Sequence, residues 1–331
     1  RTGCWLGHSN NKIFRTLPVL SWKFIKINEN LPATPRRTTA NRLQRNKTRK
    51  DFVKRKRQGT HLGYNRINIK LILKTLVIAN QKGGVGKTTT AVNLCASLAA
   101  MKRRVLLVDA DPQANATTGS GLEKVDETEG ASSALLNLEG KRVFKTESMG
   151  YDVMPSGPSL VAAESQLRNM EERELALLKS LEPLQDKYDY AIIDCPPSLN
   201  LLTINGLRAS KNLLVPMQCE YFALEGLAGL IETIDQLNAS TGHNLRLKAI
   251  VRTMFDPRNK LGRQVTEELA THFKDELFST VIPRNIKLAE APSFGKSALA
   301  YEPNAKGTLA YLAMAGELIA RMEDQYKESA V

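Results

Sequence analysis

At 331 residues the chain can hold one large α/β domain or two small ones. Its net charge of +13 would by itself suggest a nucleic-acid binder, but residues 1–74 hold 19 Lys/Arg against only Glu29 and Asp51, while the rest carries 28 basic and 32 acidic side chains. The basicity therefore belongs to the leader, and the remainder is slightly acidic, with a net of −4. Cys4, Cys95, Cys195 and Cys219 show no C-x-x-C spacing, so neither a disulfide framework nor a zinc site is indicated, and a reducing cytoplasm fits. No run of 18 apolar residues is present, so no transmembrane helix is expected.

Residues 1–74 show no sustained period of 3.6 or 2, and Pro32, Pro35 and the basic run Arg36 to Arg57 are poor material for a core. An Arg-rich, acid-poor leader can be an organellar transit peptide, and a basic arm can bind nucleic acid without sequence preference. The expectation preferred here is a third one. The chain opens on Arg1 without an initiator Met, and the segment is expected to be upstream sequence added by a gene-start error, without ordered structure and dispensable.

Thr75–Ala79 is an apolar β-forming run that leads into Asn80-Gln81-Lys82-Gly83-Gly84-Val85-Gly86-Lys87-Thr88-Thr89-Thr90, and a helix-like run follows over Ala91–Ala100. Strand, glycine-rich loop and helix in that order are the context a phosphate-binding loop requires. Gly83, Gly84 and Gly86 let the backbone approach an oxyanion, Val85 and Thr89 complete the loop, and the helix beginning near Lys87 adds its N-terminal N–H groups and dipole. Lys87 can reach the β/γ phosphates of ATP, and the Thr88 hydroxyl is placed to ligate Mg2+. The usual first glycine of such a loop would fall on Gln81, and a second lysine, Lys82, opens the loop instead. Taken by itself, Lys82 could be an ordinary solvated loop lysine.

Arg103–Val108 reads as a second buried strand, ending in Asp109-Ala110-Asp111-Pro112-Gln113-Ala114-Asn115. Carboxylates just past the C-terminal end of a parallel strand lie where α/β sheets bind ligands. A lone Asp there is commonly a helix cap, but two Asp two residues apart can face one nucleotide. A short helix over Ser132–Leu138, a strand over Tyr151–Met154 and a charged amphipathic helix over Ser159–Leu181 are expected next, the last with Leu160, Ala163, Leu167, Met170, Leu175, Leu178 and Leu181 as its core stripe. Tyr188–Asp194 is an apolar strand that ends in a carboxylate, an arrangement that holds Mg2+ in nucleotide-binding folds. Cys195, directly after it, is better read as a small buried residue than as a nucleophile.

Further strands are expected at Asn212–Met217, Arg246–Met254 and Leu277–Ile282, with helices at Ala223–Asn238, Gly262–Phe273 and Gly307–Met322. Alternation at this spacing argues for an α/β fold, a doubly wound, mostly parallel sheet with helices on both faces. Outside the leader and the phosphate loop, the densest basic groups are Arg258, Lys260 and Arg263, then Arg284, Lys287 and Lys296. Each of these can equally be a solvated surface charge.

Four separated motifs stand in one order: K-G-G-V-G-K-T, V-D-A-D-P-Q-A-N-A-T, Asp194-Cys195-Pro196-Pro197, and Val281-Ile282-Pro283-Arg284-Asn285 with Glu290–Lys296. Together they resemble the deviant Walker A ATPases of the ParA/MinD group, over essentially all of 75–325, and within that group the ParA/Soj partitioning branch. The resemblance implies an ATPase that closes into an ATP-dependent homodimer, with Lys82 reaching the partner subunit's phosphates. It further implies that Asp111 prepares the attacking water and that Asp109, with Asp194 and Thr88, serves the metal. Pro283 and Asn285 would contact adenine, although a plain turn is the competing account of that segment. DNA would be bound without sequence preference in the C-terminal third, through Arg258, Lys260, Arg263, Arg284 and Lys287, and a ParB-type protein would stimulate hydrolysis. A cytoplasmic, nucleoid-associated location follows from that reading. The acidic end of the last helix speaks against the membrane-binding tail of the MinD branch, and Cys95 and Cys195 do not look like the cluster ligands of an iron protein. A cargo-positioning ATPase without DNA, and a P-loop biosynthetic ligase or kinase, remain as alternatives.

Overall fold

The computed structural model describes residues 73–146 and 148–329, so up to residue 72 the expectation for the basic leader lies outside the described residues. In chain order the strands are β1 (Lys74–Ile78), β2 (Val105–Asp109), β3 (Phe144–Lys145), β4 (Asp152–Met154), β5 (Tyr190–Asp194), β6 (Asn212–Met217), β7 (Arg246–Phe255) and β8 (Leu277–Pro283). The helices are α1 (Lys87–Ala100), α2 (Asn115–Gly119), α3 (Gly130–Leu136), α4 (Leu160–Leu167), α5 (Ala176–Leu181), α6 (Leu201–Arg208), α7 (Ala223–Thr241), α8 (Lys260–His272), α9 (Ile286–Glu290), α10 (Ala298–Tyr301) and α11 (Lys306–Ser329).

The strands form one sheet in the order β3-β4-β2-β5-β1-β6-β7-β8, parallel throughout except for the β3–β4 pair. β1, β2 and β5 are continuous apolar runs because helices cover both faces, which is how parallel strands buried on two sides read. β1 lies between β5 and β6, so the chain winds outward from it in both directions. Loops leaving neighbouring strands at such a switch point part from each other and leave a crevice at the strands' C-terminal ends. On one face α1 and α11 pack Leu94, Leu98, Met314 and Leu318 against β1, β2 and β7. The Tyr311 hydroxyl in that core meets Thr90 Oγ1 at 3.1 Å, so α11 is pinned to the first turns of α1.

The single helix expected over Ser159–Leu181 is two helices, α4 and α5, with turns between them. Glu172 takes φ +51°, and Met170, expected in the core, is 40% exposed. The break is held from outside the segment. Asn205, buried on α6, accepts from Leu177 N at 3.1 Å and donates to Arg173 O at 2.8 Å, satisfying backbone groups that a continuous helix would have paired internally. Asn205→Ala would leave both unsatisfied in the interior and is expected to cost about 2–3 kcal/mol. A thermal melt should read this as a fall of roughly 5–10 °C.

The other edge carries a bulge. Between the β7–β8 pairs Ile250↔Leu277 and Arg252↔Val281, β8 has two more residues than β7. Arg252 donates to Phe278 O (2.8 Å) and Ser279 O (3.1 Å), while Glu317 on α11 accepts from Ser279 N (2.9 Å) and Thr280 N (3.0 Å). Glu317 is itself paired with Arg321. No described helix is long and apolar enough to cross a membrane.

Candidate active site

The loop after β1 is positioned by its neighbours on the sheet. Asn80 donates to Pro216 O at 2.9 Å and accepts from Lys82 N at 3.0 Å, while Thr253 at the end of β7 donates to Val85 O at 2.8 Å. Gly84 and Gly86 have φ of +73° and +88°, the left-handed region that side chains disfavour. A Cβ on Gly83 or Gly84 would meet no protein atom within 4 Å, so the concave side of the loop is an open cradle. Gly86 is the N-cap of α1 and supplies no side-chain acceptor, leaving the first N–H groups of a 14-residue helix aimed at that cradle.

Lys87 is largely buried, and its ammonium donates to Lys82 O at 3.2 Å. Burial pushes its pKa down, against the upward pull of Asp194 and Asp111. The ammonium therefore stands close to two carboxylates and the loop backbone, where an anion of opposite charge would repay its desolvation. Lys82 points elsewhere: it forms an ion pair with Glu220, just past the end of β6.

Asp194 and Asp109 are register partners at the ends of β5 and β2. Asp194 is 1% exposed, and neither carboxylate oxygen has a hydrogen-bond partner, although Thr88 is near enough to favour its charged form. Burial first, and then the Asp109 charge, push its pKa well up. A buried carboxylate without donors, beside a threonine hydroxyl and an anion cradle, fits a hard divalent cation. Mg2+ takes one or two protein oxygens and fills its remaining positions with water and phosphate.

Asp109, expected to support the metal shell, is arranged differently. It is fully buried, and its oxygens already accept from Asp111 N (3.1 Å), Thr117 N (2.8 Å) and Thr117 Oγ1 (2.7 Å). Its charge raises the pKa of Asp194, and both of its own oxygens are engaged by the protein. Burial is the main reason its pKa is pushed up to about 6. Asp111, half-buried at the mouth of the crevice, accepts from Gln113 N at 2.9 Å through Oδ1.

A cavity of about 250 Å³ opens beside the loop, lined among others by Gln218, Cys219, Met254, Asn259, Gly262 and Arg284. Arg284 brings the Pro283–Asn285 turn to this cavity, and Asn259 and Gly262 bring the start of α8. Asn285 is the N-cap of α9, accepting from Lys287 N at 2.9 Å. Arg258 is paired with Asp256, and Lys287 with Glu290. Arg284, Lys260, Arg263 and Lys296 are exposed. Sequence reasoning gave no role to Asn80, Glu220, Thr117, Ser156 or Thr253. Only Asn80, adjoining the loop, and Thr117, the last residue of the V-D-A-D-P-Q-A-N-A-T motif, carried a local signal.

Residues 73–249 match the protein family described as an AAA domain. The chromosome partitioning protein ParA of Myxococcus xanthus is 47% identical over 250 residues, 75% of this chain and 88% of that protein. The sporulation initiation inhibitor protein Soj of Bacillus subtilis is 46% identical over 249 residues, 75% of this chain and 98% of that one. A solved structure of cobyrinic acid a,c-diamide synthase from Mycobacterium smegmatis, with bound ATP analog and magnesium, is similar at a TM-score of 0.65 and 32% identity, covering 76% of this chain and 96% of that one.

Proposed function

The chain belongs to the ParA/Soj family of chromosome-partitioning ATPases, and from that footing we propose that it binds ATP with Mg2+ over Lys82–Thr89 and hydrolyses it as a dimer that holds DNA. The observation that carries this reading is the pairing of an open glycine loop with a fully buried carboxylate, Asp194, whose only near donor is the Thr88 hydroxyl. Lys87 and the N–H groups of α1 hold the β/γ phosphates, and Thr88 and Asp194 hold the cation. Held by these residues, Mg2+ would supply charge neutralisation for the phosphates. Asp111 orients the attacking water. Pro283 and Asn285 flank Arg284 at the cavity beside the loop, which is the place for the adenine.

Lys82 has a second role. In the free chain it is held by Glu220; on dimer closure it exchanges that carboxylate for the partner subunit's phosphates. Because those contacts exist only before hydrolysis, ATP favours the closed dimer and ADP releases it. Release is stimulated by a ParB-type protein, and the protein works on the nucleoid in the cytoplasm.

DNA binding is the part most open to test. Arg284, Lys260 and Arg263 are exposed basic side chains of the C-terminal third, and a two-fold dimer presents them twice. A shortened chain beginning at Leu73 is expected to fold, hydrolyse ATP and bind DNA of any sequence with ATP but not with ADP. Affinity should fall with salt by roughly 0.9 log units per log unit of salt for each phosphate contact. Arg284→Ala should weaken binding uniformly and reduce that slope by about 1, leaving dimerisation intact. The shortened chain is essential, because a +17 leader binds DNA whatever the domain does. If it dimerises with ATP yet ignores DNA at low salt, a cargo-positioning ATPase is the better reading. The synthase-like structure favours a second reading, a biosynthetic ligase. Hydrolysis of ATP without any acceptor substrate would count against it.

A further inference from the structure

Four buried or half-buried residues from three separate segments close a ring of hydrogen bonds beneath Asp111. Asp109 Oδ1 accepts from Asp111 N at 3.1 Å, and Asp111 O accepts from Ser156 Oγ at 2.9 Å. Ser156 N donates to Thr117 Oγ1 at 2.9 Å, and Thr117 returns to Asp109 Oδ2 through Oγ1 at 2.7 Å and its own N–H at 2.8 Å. Asp109, Thr117 and Ser156 are each 0% exposed. The Thr117 hydroxyl is used in both directions, as acceptor from one segment and donor to another. No residue lacking that hydroxyl can close the ring.

The ring sits on rigid supports. Asp109 ends a central strand, and Ser156 follows β4, next to a glycine whose Cβ would lie 2.0 Å from Val125 O, so this loop is pressed against its neighbour. Between them the backbone turns sharply: Ala114, fully buried, takes φ +59° and donates to Asp111 O at 2.9 Å before the five-residue helix α2. Asp111 thus stands in a tight turn that is tied at its N–H by Asp109 and at its carbonyl by Ser156 as well as by Ala114 N.

We propose that Thr117 and Ser156 are positioning residues for Asp111, whose hydroxyls fix the segment carrying the water-orienting carboxylate. The inference rests on the role given to Asp111 in the function proposed above. Neither hydroxyl faces the phosphate cradle, so nucleotide binding does not depend on them. Orientation does, because misplacing a reacting group by about 1 Å can cost on the order of 100-fold in rate.

Paired substitutions separate this role from packing. Thr117→Val keeps the shape and loses the hydroxyl, whereas Thr117→Ser keeps the hydroxyl and loses the methyl. In the full chain, Thr117→Val and Ser156→Ala are expected to lower kcat for ATP hydrolysis by about 10–100-fold with KM within about twofold, and Thr117→Ser to stay within about threefold of wild type. On an Asp111→Ala background, Thr117→Val should cost no further rate, since the group it positions is gone. The inference is overturned if Thr117→Val is active and Thr117→Ser impaired, if KM moves instead of kcat, or if the double substitution loses rate additively.

Amide exchange over residues 111–117 of the ligand-free chain gives a reading independent of hydrolysis. Thr117→Val and Ser156→Ala should speed exchange there, and Thr117→Ser should not; unchanged exchange in the first two overturns the ring's role. Should the wild type fail to hydrolyse ATP at all, the functional reading fails, and the exchange result still decides whether the ring holds the segment.

Discussion

Lys87→Ala should abolish ATP binding at ordinary concentrations, whereas Lys82→Ala should bind ATP normally and fail to dimerise. The two lysines are five residues apart on one loop, yet they face different partners. Lys87 is largely buried with its ammonium on the loop carbonyl of Lys82, so removing it leaves the phosphates without a desolvated cation. Truncating one member of a buried charge pair costs about 2–5 kcal/mol, which is roughly 30-fold to several thousand-fold in affinity. Lys82 is exposed and paired with Glu220, and an exposed pair contributes about 0–1 kcal/mol to the monomer, so its loss leaves folding and binding unchanged. Nucleotide titration and light scattering with ATP measure the two properties separately. A Lys82→Ala chain that still dimerises with ATP would rule out a contact across the interface.

Asp194→Asn should raise the stability of the ligand-free chain while lowering ATP hydrolysis by at least about 100-fold through lost metal-assisted charge neutralisation. Asp194 is a fully buried carboxylate whose charged form burial disfavours, and replacing that charge by a neutral amide of the same shape is worth about 1–3 kcal/mol. Each 1 kcal/mol should appear as about 2–4 °C in Tm for a domain of this size. The pH dependence has a definite sign. A carboxyl group whose folded pKa is raised binds its proton more tightly in the folded state, so it favours folding as pH falls and disfavours it as pH rises through that pKa. Asp109, pushed up to about 6 from an ordinary 3.8, acts in that window, and Asp194 acts in the same direction. The melting-temperature gap between wild type and Asp194→Asn should therefore narrow from pH 7 toward about pH 4. Added Mg·ATP should reverse the gap, because a bound cation favours the charged carboxylate. A variant that is less stable than wild type without ligand at pH 7 would show that the carboxylate is not strained there.

The parts of the domain that could be read along the chain are those whose chemistry is local. β1, β5 and β6 announced themselves because parallel strands covered on both faces are unbroken apolar runs, and Lys82 to Thr88 because a phosphate cradle needs glycines, a lysine and a hydroxyl in immediate succession. The break between α4 and α5 was not legible, since the apolar period continues across it and the residue that stabilises it, Asn205, lies on another helix. The cavity beside the loop was equally hidden, because Gln218, Met254, Asn259 and Arg284 come together only when β6, β7 and β8 are laid side by side. Asp109 shows the intermediate case: its place in the site was visible, but its engagement by Thr117 required a partner eight residues on whose direction no pattern encodes.

The bulge on β8 bears on how this molecule keeps company. A bare outer strand is a template on which any extended peptide can continue the sheet. Here Glu317 takes the amide hydrogens of Ser279 and Thr280, and the guanidinium of Arg252 takes the carbonyls of Phe278 and Ser279, so the rim offers few free groups to a newcomer. At the opposite rim β3 is only two residues long, too short to seed a foreign strand. If the chain gathers on DNA and parts from its partner when nucleotide is spent, as proposed above, it has to be unable to stick by its flanks. Crowding should then concentrate these molecules without fusing them, and lasting association would be left to the end of the sheet that carries the nucleotide site.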